Sequence, residues 1–192
     1  MLEEEYQPRR QLPPHLRKKP EPETPFSYTI RDARLEDLPH VREIYNYYVA
    51  NSVVTFDEDK MSLPKWKAKF AHLTKLGLPF IVAESPNGVI LGYALVSPWK
   101  DKRAYRYTVE NSIYLGPAST GKGLGRVLLG ELIERSRQAG LKEILAVISD
   151  RGAEGSIALH ESYGFVEIGR MGRVGFKFER WLGTVLLQKS LK

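Results

Sequence analysis

The sequence predicts a single domain built on a mixed α/β sheet. Strand-length segments, apolar or alternating, recur from residue 26 to the C-terminus. Between them lie segments with apolar residues three and four apart, bounded by helix start and stop signals. The chain has 192 residues, of which 42% are hydrophobic and 27% charged. That is enough for one soluble domain with a substantial core.

In chain order, "FSYTIRDA" alternates and reads as a strand. "EDLPHVREIYNYYVAN" places Leu38, Val41, Ile44, Tyr45 and Tyr48 on one helical face. Pro39 falls in its first turn, where a missing N–H costs nothing. "SLPKWKAKFAHL" repeats the device, with Ser62 as cap and Pro64 opening a second helix. "LPFIVAE", "SPNG" and "VILGYALVS" read as strand, tight turn and strand, and "YRYTVENSIYL" as the next long strand. "STGKGLGRVLLGELIERSRQAG" is a glycine-rich loop running into an amphipathic helix that ends at Gly140. "KEILAVIS" is a buried strand, and "GSIALHESYG" a short helix stopped by Gly164. "FVEIGRM" and "TVLLQKS" close the chain as strands. The order is β-α-α-β-β-β-α-β-α-β-β, a mixed sheet in residues 26–192.

Residues 1–25 hold six of the twelve prolines and almost no large apolar side chains. Such a segment buries too little to offset its ordering entropy, so it reads as a flexible arm. It is acidic at its start and lacks an apolar stretch, so it does not read as a secretory signal. The net charge of +6 falls entirely in residues 26–192, because residues 1–25 carry five basic and five acidic side chains. A basic tail gripping nucleic acid is therefore disfavoured, and no nucleic-acid-binding motif appears. No apolar stretch is long enough to span a bilayer. The absence of cysteine excludes disulfides, thiolate metal sites and cysteine nucleophiles, and fits a cytoplasmic protein. No histidines and carboxylates have metal-ligand spacing, so no metal is expected.

The glycine loop admits several readings. "GPASTGKG" comes one residue short of a phosphate-binding P-loop, which needs Ser or Thr after the lysine as a magnesium ligand. A dinucleotide fingerprint fails because Gly121, Gly123 and Gly125 are spaced two apart. The glycines could merely join a strand to a helix, but one would suffice. Each costs about 1 kcal/mol against alanine at a helical site. Three together suggest that backbone N–H groups approach an anion closely. Lys122 and Arg126 add positive charge beside them.

"TGKGLGRVLLGELIE" resembles the acetyl-CoA signature of the GCN5-related N-acetyltransferases, Gln/Arg-x-x-Gly-x-Gly/Ala, which falls here on Thr120, Gly123 and Gly125. With "IYNYYVANSVVTF", "SPWKDKRAYRYTVENSIYL", "SIALHESYGF" and "GFKFERW", the resemblance spans residues 27–191 and is nearest the phosphinothricin acetyltransferase branch. It implies a sheet with splayed central strands and acetyl-CoA as co-substrate. The pantetheine arm would pair with the backbone of Ile113, Tyr114 and Leu115. The pyrophosphate would sit on the N–H groups of Gly121, Lys122, Gly123, Leu124, Gly125 and Arg126, at the positive end of a helix dipole. A further contact would come from the start of the next helix, at Ser156. The chain departs from the family pattern at Thr120, at Ala153 where relatives carry Asn, and at Gly183 where they often carry Asp.

Acetyl transfer needs a base for the amine, and Glu110 is the first candidate, on one strand face with Ser112 and Tyr114. Its alternative role is a surface carboxylate paired with Arg106 or a lysine. His160 is the second candidate, with an ordinary pKa of about 6.5 suited to proton transfer; alternatively it packs or bonds backbone. By resemblance, Phe56, Arg103, Tyr105 and Arg106 would build the acceptor site, with Trp99 and Tyr107 as further walls. The arginines suit a carboxylate or phosphinate, unless they are solvated loop charges. The implied function is N-acetylation of a small amino-acid-like amine. Peptide N-acetylation and non-catalytic acyl-CoA sensing are the alternatives. A homodimer is implied by the resemblance alone.

Overall fold

The computed structural model describes residues 26–192. The arm expected over residues 1–25 lies outside the described residues. Seven strands form one sheet in the order β1-β2-β3-β4-β5-β7-β6. They are β1 (Thr29–Asp32), β2 (Phe80–Glu84), β3 (Ile90–Pro98), β4 (Thr108–Leu115), β5 (Glu143–Ser149), β6 (Val166–Lys177) and β7 (Arg180–Ser190). Neighbours are antiparallel except β4 and β5, which run parallel. That parallel pairing covers only Thr108 to Glu110 against Glu143 to Leu145. Beyond Glu110 the two strands diverge, β4 staying with β3 and β5 with β7. The sheet is thus split along the middle, as the resemblance implied.

Two helices cover each face. On one side are α1 (Leu38–Asn51) and α2 (Leu63–Lys75), on the other α3 (Leu124–Gln138) and α4 (Glu154–Ser162). The central strands are apolar on both faces for this reason. In β2, Phe80 and Val82 join the α1/α2 core, while Ile81 and Ala83 join the α3/α4 core. Local chemistry sets the helix ends. Ser62 accepts a hydrogen bond from the Lys65 N–H at 3.4 Å, the cap expected from sequence, and prolines occupy the first turns of α1 and α2. Gly140 and Gly164 follow α3 and α4 with φ of 79° and 77°, which glycine adopts without a Cβ penalty.

The last two strands are much longer than the sequence suggested. "GFKFERW" is the tip of a hairpin, whose turn residues Phe178 and Glu179 both have positive φ (49° and 58°). Such a turn matches strand twist but ordinarily carries Asn or Gly, so the turn signal is missing from the sequence. β4 starts later than expected, because Arg103–Tyr105 forms a short 3₁₀ turn.

Candidate active site

A cavity of about 300 Å³ lies where β4 and β5 part, on the α1/α2 side. Strand alternation on β4 aims Glu110, Ser112 and Tyr114 into it, while Val109 joins the core on the α3/α4 side. Val147 and Ser149 of β5 and Thr184 of β7 line it beyond the split. Tyr45 of α1, Trp66 and Lys69 of α2, and the turn carrying Thr55, Phe56 and Asp57 close it.

That turn is held from the opposite hairpin. Lys177 is buried and donates to the backbone carbonyls of Ser52 and Thr55, at 2.9 and 2.8 Å. Gly175 lies against the Phe56 ring, and an added Cβ would stand 2.5 Å from two ring carbons. The "GFKFERW" segment therefore shapes the cavity from behind.

Inside the cavity, burial raises the Glu110 carboxyl above its ordinary range, opposed by the charges of Lys69 and Lys100. Tyr45 donates to Asp57 and shares a 3.1 Å hydrogen bond with Thr55 Oγ1. Burial pushes Tyr114 up to about 12, and Tyr45 and Tyr93 also upward. The tyrosines therefore keep their protons near neutral pH, and Glu110 is the cavity carboxyl whose proton affinity burial raises. No ion pair links Glu110 to Arg106 among the described residues, so its surface alternative does not fit the geometry.

The loop before α3 has the features of an anion cradle. Gly121 and Gly123 have φ of 72° and 77°, which L side chains rarely adopt. Gly123 caps α3 with no side-chain hydrogen bond, and the N–H groups of residues 121–125 reach no acceptor among the described residues. The first paired amide is that of Arg126, 3.1 Å from the Gly123 carbonyl. Free amides at the positive end of a 15-residue helix suit a diphosphate. The helix tolerates this bare start because it buries Leu124, Leu128, Leu129, Leu132 and Ile133, each contributing roughly 1.5–3 kcal/mol.

Gly125 differs from its two neighbours. It is helical, and an added Cβ would make ordinary contacts with Leu159 and Leu115 at 3.6 and 3.7 Å. Lys122 lies over the Phe26 ring, and Arg126 bonds Ser162 and stacks near Tyr163. Ile113 and Leu115 pack partly into the α3/α4 core, leaving the backbone of residues 111–115 without a β5 partner. Ser156 sits in the first turn of α4, its backbone carbonyl accepting from His160.

Other expected site residues are placed apart from the cavity. Among the proposed acceptor residues, Phe56 lines it. Arg103, Tyr105 and Arg106 are exposed on the 3₁₀ turn outside its lining, with Arg106 lying over Tyr107 and bonding the Arg103 carbonyl. They were expected in the pocket by resemblance; the turn leaves them exposed to solvent instead.

His160 lies on the opposite side of the sheet from Glu110, 4% exposed and edge-on to Phe165. Its Nδ1–H donates to the Ser156 carbonyl at 2.7 Å, and Nε2 accepts from the Asn111 amide at 2.8 Å. Burial lowers its pKa, so the ring is neutral with both nitrogens engaged. This geometry assigns it to packing, the second of its two readings. His160→Ala should cost about 1–3 kcal/mol by leaving Asn111 unpaired. Thermal melts should show that loss, and the folded variant should keep kcat within about threefold, far less than a proton-transfer residue would cost.

Two of the three departures from the family pattern, Thr120 and Gly183, have local structural counterparts, and nothing in the structure explains Ala153. Thr120 Oγ1 donates to the Pro117 carbonyl at 3.0 Å, closing the turn before the cradle. At Gly183 an added Cβ would meet the Met171 carbonyl oxygen at 2.5 Å and the Asp150 carboxylate at 2.6 Å. Asp150 instead accepts from the Gly183 N–H at 2.9 Å, so a carboxylate reaches this place from the neighbouring loop. Lys69, Tyr45 and Asp57 were not anticipated. Lys69 had a signal: it lies with Trp66, Phe70 and Leu73 on one helical stripe where an apolar residue is the norm.

Residues 41–165 match the model of the Acetyltransferase (GNAT) family. The chain is 39% identical over 163 residues to a phosphinothricin N-acetyltransferase of Alcaligenes faecalis, covering 85% of this chain and 82% of that one. It is 41% identical over 166 residues to an L-methionine sulfoximine/L-methionine sulfone acetyltransferase of Pseudomonas paraeruginosa, covering 86% and 96%. A GNAT superfamily phosphinothricin acetyltransferase from Sinorhizobium meliloti, solved with acetyl-CoA, superposes with a TM-score of 0.81 at 41% identity, covering 85% and 88%. A split mixed sheet with a bare-amide loop at the head of α3 defines a GNAT-type acetyltransferase, and the chain belongs to this family. Within it, the chain falls in the phosphinothricin and methionine sulfoximine N-acetyltransferase branch.

Proposed function

We propose that the protein transfers the acetyl group of acetyl-CoA to the primary amine of a small amino-acid-like molecule, of phosphinothricin or methionine sulfoximine type, by direct attack in a ternary complex. The observation that carries this is Glu110, half-buried at the mouth of the β4/β5 split and facing a cavity of about 300 Å³. The cavity's volume suits a small acceptor such as an amino acid.

The amides of residues 121–125 hold the diphosphate, and the β5-side edge of β4 beyond Glu110, up to the Leu115 carbonyl that Tyr48 already bonds, receives the pantetheine arm. When bound, acetyl-CoA supplies a thioester whose carbonyl carbon is electrophilic and whose sulfur departs as thiolate. Glu110 accepts the proton of the attacking amine, directly or through water, as the N–C bond forms and the C–S bond breaks. The α-amine of an amino acid is protonated near neutral pH, and a carboxylate whose proton affinity is raised by burial is placed to take that proton. A free-thiol release assay over a panel of amino acids and amines tests the reading. Acetyl-CoA-dependent turnover of phosphinothricin or methionine sulfone is the expected result; acetyl-CoA binding without turnover of any acceptor favours a sensor.

We infer that residues 26–192 form the catalytic domain and that the protein works in the cytoplasm. The second inference draws on the cysteine-free sequence. Among the described residues, no helix is long and apolar enough to cross a membrane. We further infer a homodimer through the β6/β7 hairpin, where Val174, Phe176, Phe178 and Trp181 expose about half their surface. A patch of this kind on a soluble protein marks an interface. Trp181→Glu should halve the mass in light scattering; an unchanged mass places the interface elsewhere.

A further inference from the structure

Three charged side chains line the cavity: Glu110, Asp57 and Lys69. The carboxylates have evident duties; within the fold the lysine meets only the Trp66 ring and the charges of Glu110 and Asp57. It lies on the buried stripe of α2, beside Trp66, with the ring centroid 5.4 Å from Nζ. Lys65 and Lys67 of the same helix are exposed, as lysines ordinarily are. Among the described residues, Lys69 makes no ion pair and donates no hydrogen bond. Lys177 is the contrast: its buried ammonium spends two N–H groups on backbone carbonyls. Holding an ammonium half-buried without hydrogen-bond acceptors opposes folding, and burial lowers its pKa against the attraction of Glu110 and Asp57.

We propose that Lys69 is the specificity-determining residue of the acceptor site, pairing with the α-carboxylate of an amino acid whose amine faces Glu110. This rests on the acetyltransferase reading above and deepens it. The cavity then matches a zwitterion, with carboxylates toward the amine and an ammonium toward the acid. No other lysine or arginine lines it among the described residues; Lys100, whose charge also acts on Glu110, and the arginines of the 103–106 turn lie outside the lining. A simple amine would leave Lys69 unpaired beside the substrate's own positive charge, a penalty that discriminates as strongly as a direct contact.

The test compares methionine sulfone, whose only anionic group is the α-carboxylate, with its amide. Assays run near neutral pH, where the ammonium keeps its proton, and any change in Glu110 ionisation between variants affects acid and amide alike and cancels in the ratio. The wild type should favour the acid over the amide in kcat/KM. Lys69→Met should lower that ratio by about tenfold to a hundredfold, the range for losing a charge-assisted hydrogen bond. Lys69→Arg should largely keep it. Using the ratio cancels any general effect on folding or on acetyl-CoA binding. A wild-type ratio near one overturns the proposal without any variant, as does a ratio unchanged by Lys69→Met. Turnover of neither compound, nor of any other amine, would overturn the acetyltransferase reading itself; turnover of both alike overturns only the role of Lys69.

Discussion

Glu110→Gln is expected to lower kcat/KM by about 10²–10⁴, the usual contribution of a positioned general base, while the acetyl-CoA Kd stays unchanged. The amide fills the same space but cannot accept the amine's proton. The cradle lies at the head of α3, on residues the substitution does not touch. Isothermal titration with acetyl-CoA beside steady-state kinetics separates the two effects. A variant with wild-type turnover would remove Glu110 from the mechanism. One that lost acetyl-CoA binding would show that the cavity and the cradle are not independent.

The same residue sets a pH dependence in activity and in stability. Burial raises the Glu110 pKa, so the acid limb of kcat/KM should lie above the ordinary carboxylate range, activity being lost as pH falls through it. Stability runs the other way. Between the unfolded and the folded pKa, the folded state holds more protons than the unfolded, so stability declines as pH rises through that window. At neutral pH the ionised Glu110 therefore opposes folding, and Glu110→Gln should melt no lower than the parent. Loss of activity together with a lower Tm would point to a structural carboxylate instead.

How much of this was legible in the sequence depends on whether a feature is local. Ser62 and the first-turn prolines announce their helices because capping is settled within a few residues. Glu110 could be placed with Ser112 and Tyr114 because strand alternation is also local. The β6/β7 turn was hidden, since Phe178 and Glu179 take positive φ without Gly, Asn or Asp; the long pairing on either side imposes the conformation. Whether Arg103 and Arg106 meet the cavity depends on the direction of a short turn, which composition does not encode. His160 shows the same limit. Its position in "ALHESYGF" is readable, but its partners Asn111 and Phe165 meet it only through tertiary packing. Lys69 was readable in principle, as a charge on an apolar stripe.

Gly123→Val should weaken acetyl-CoA binding by about tenfold or more, because a residue with a Cβ costs roughly 1–2 kcal/mol in the left-handed region and a β-branched one costs more. No protein atom lies within 4 Å of the added Cβ, so the penalty comes from φ, not from a clash. The first turn of α3 would relax away from the conformation that presents its free amides. At saturating acetyl-CoA, kcat should recover, the opposite split from Glu110→Gln. Gly125→Ala then separates two reasons for glycine. Its backbone is helical and its Cβ has room, so alanine should stabilise the free protein by about 1 kcal/mol. If this stabilised variant still binds acetyl-CoA more weakly, Gly125 is bare because the ligand needs contact with the peptide backbone. If binding is unchanged, only the two left-handed glycines shape the cradle, and Gly125 serves no purpose in cofactor binding.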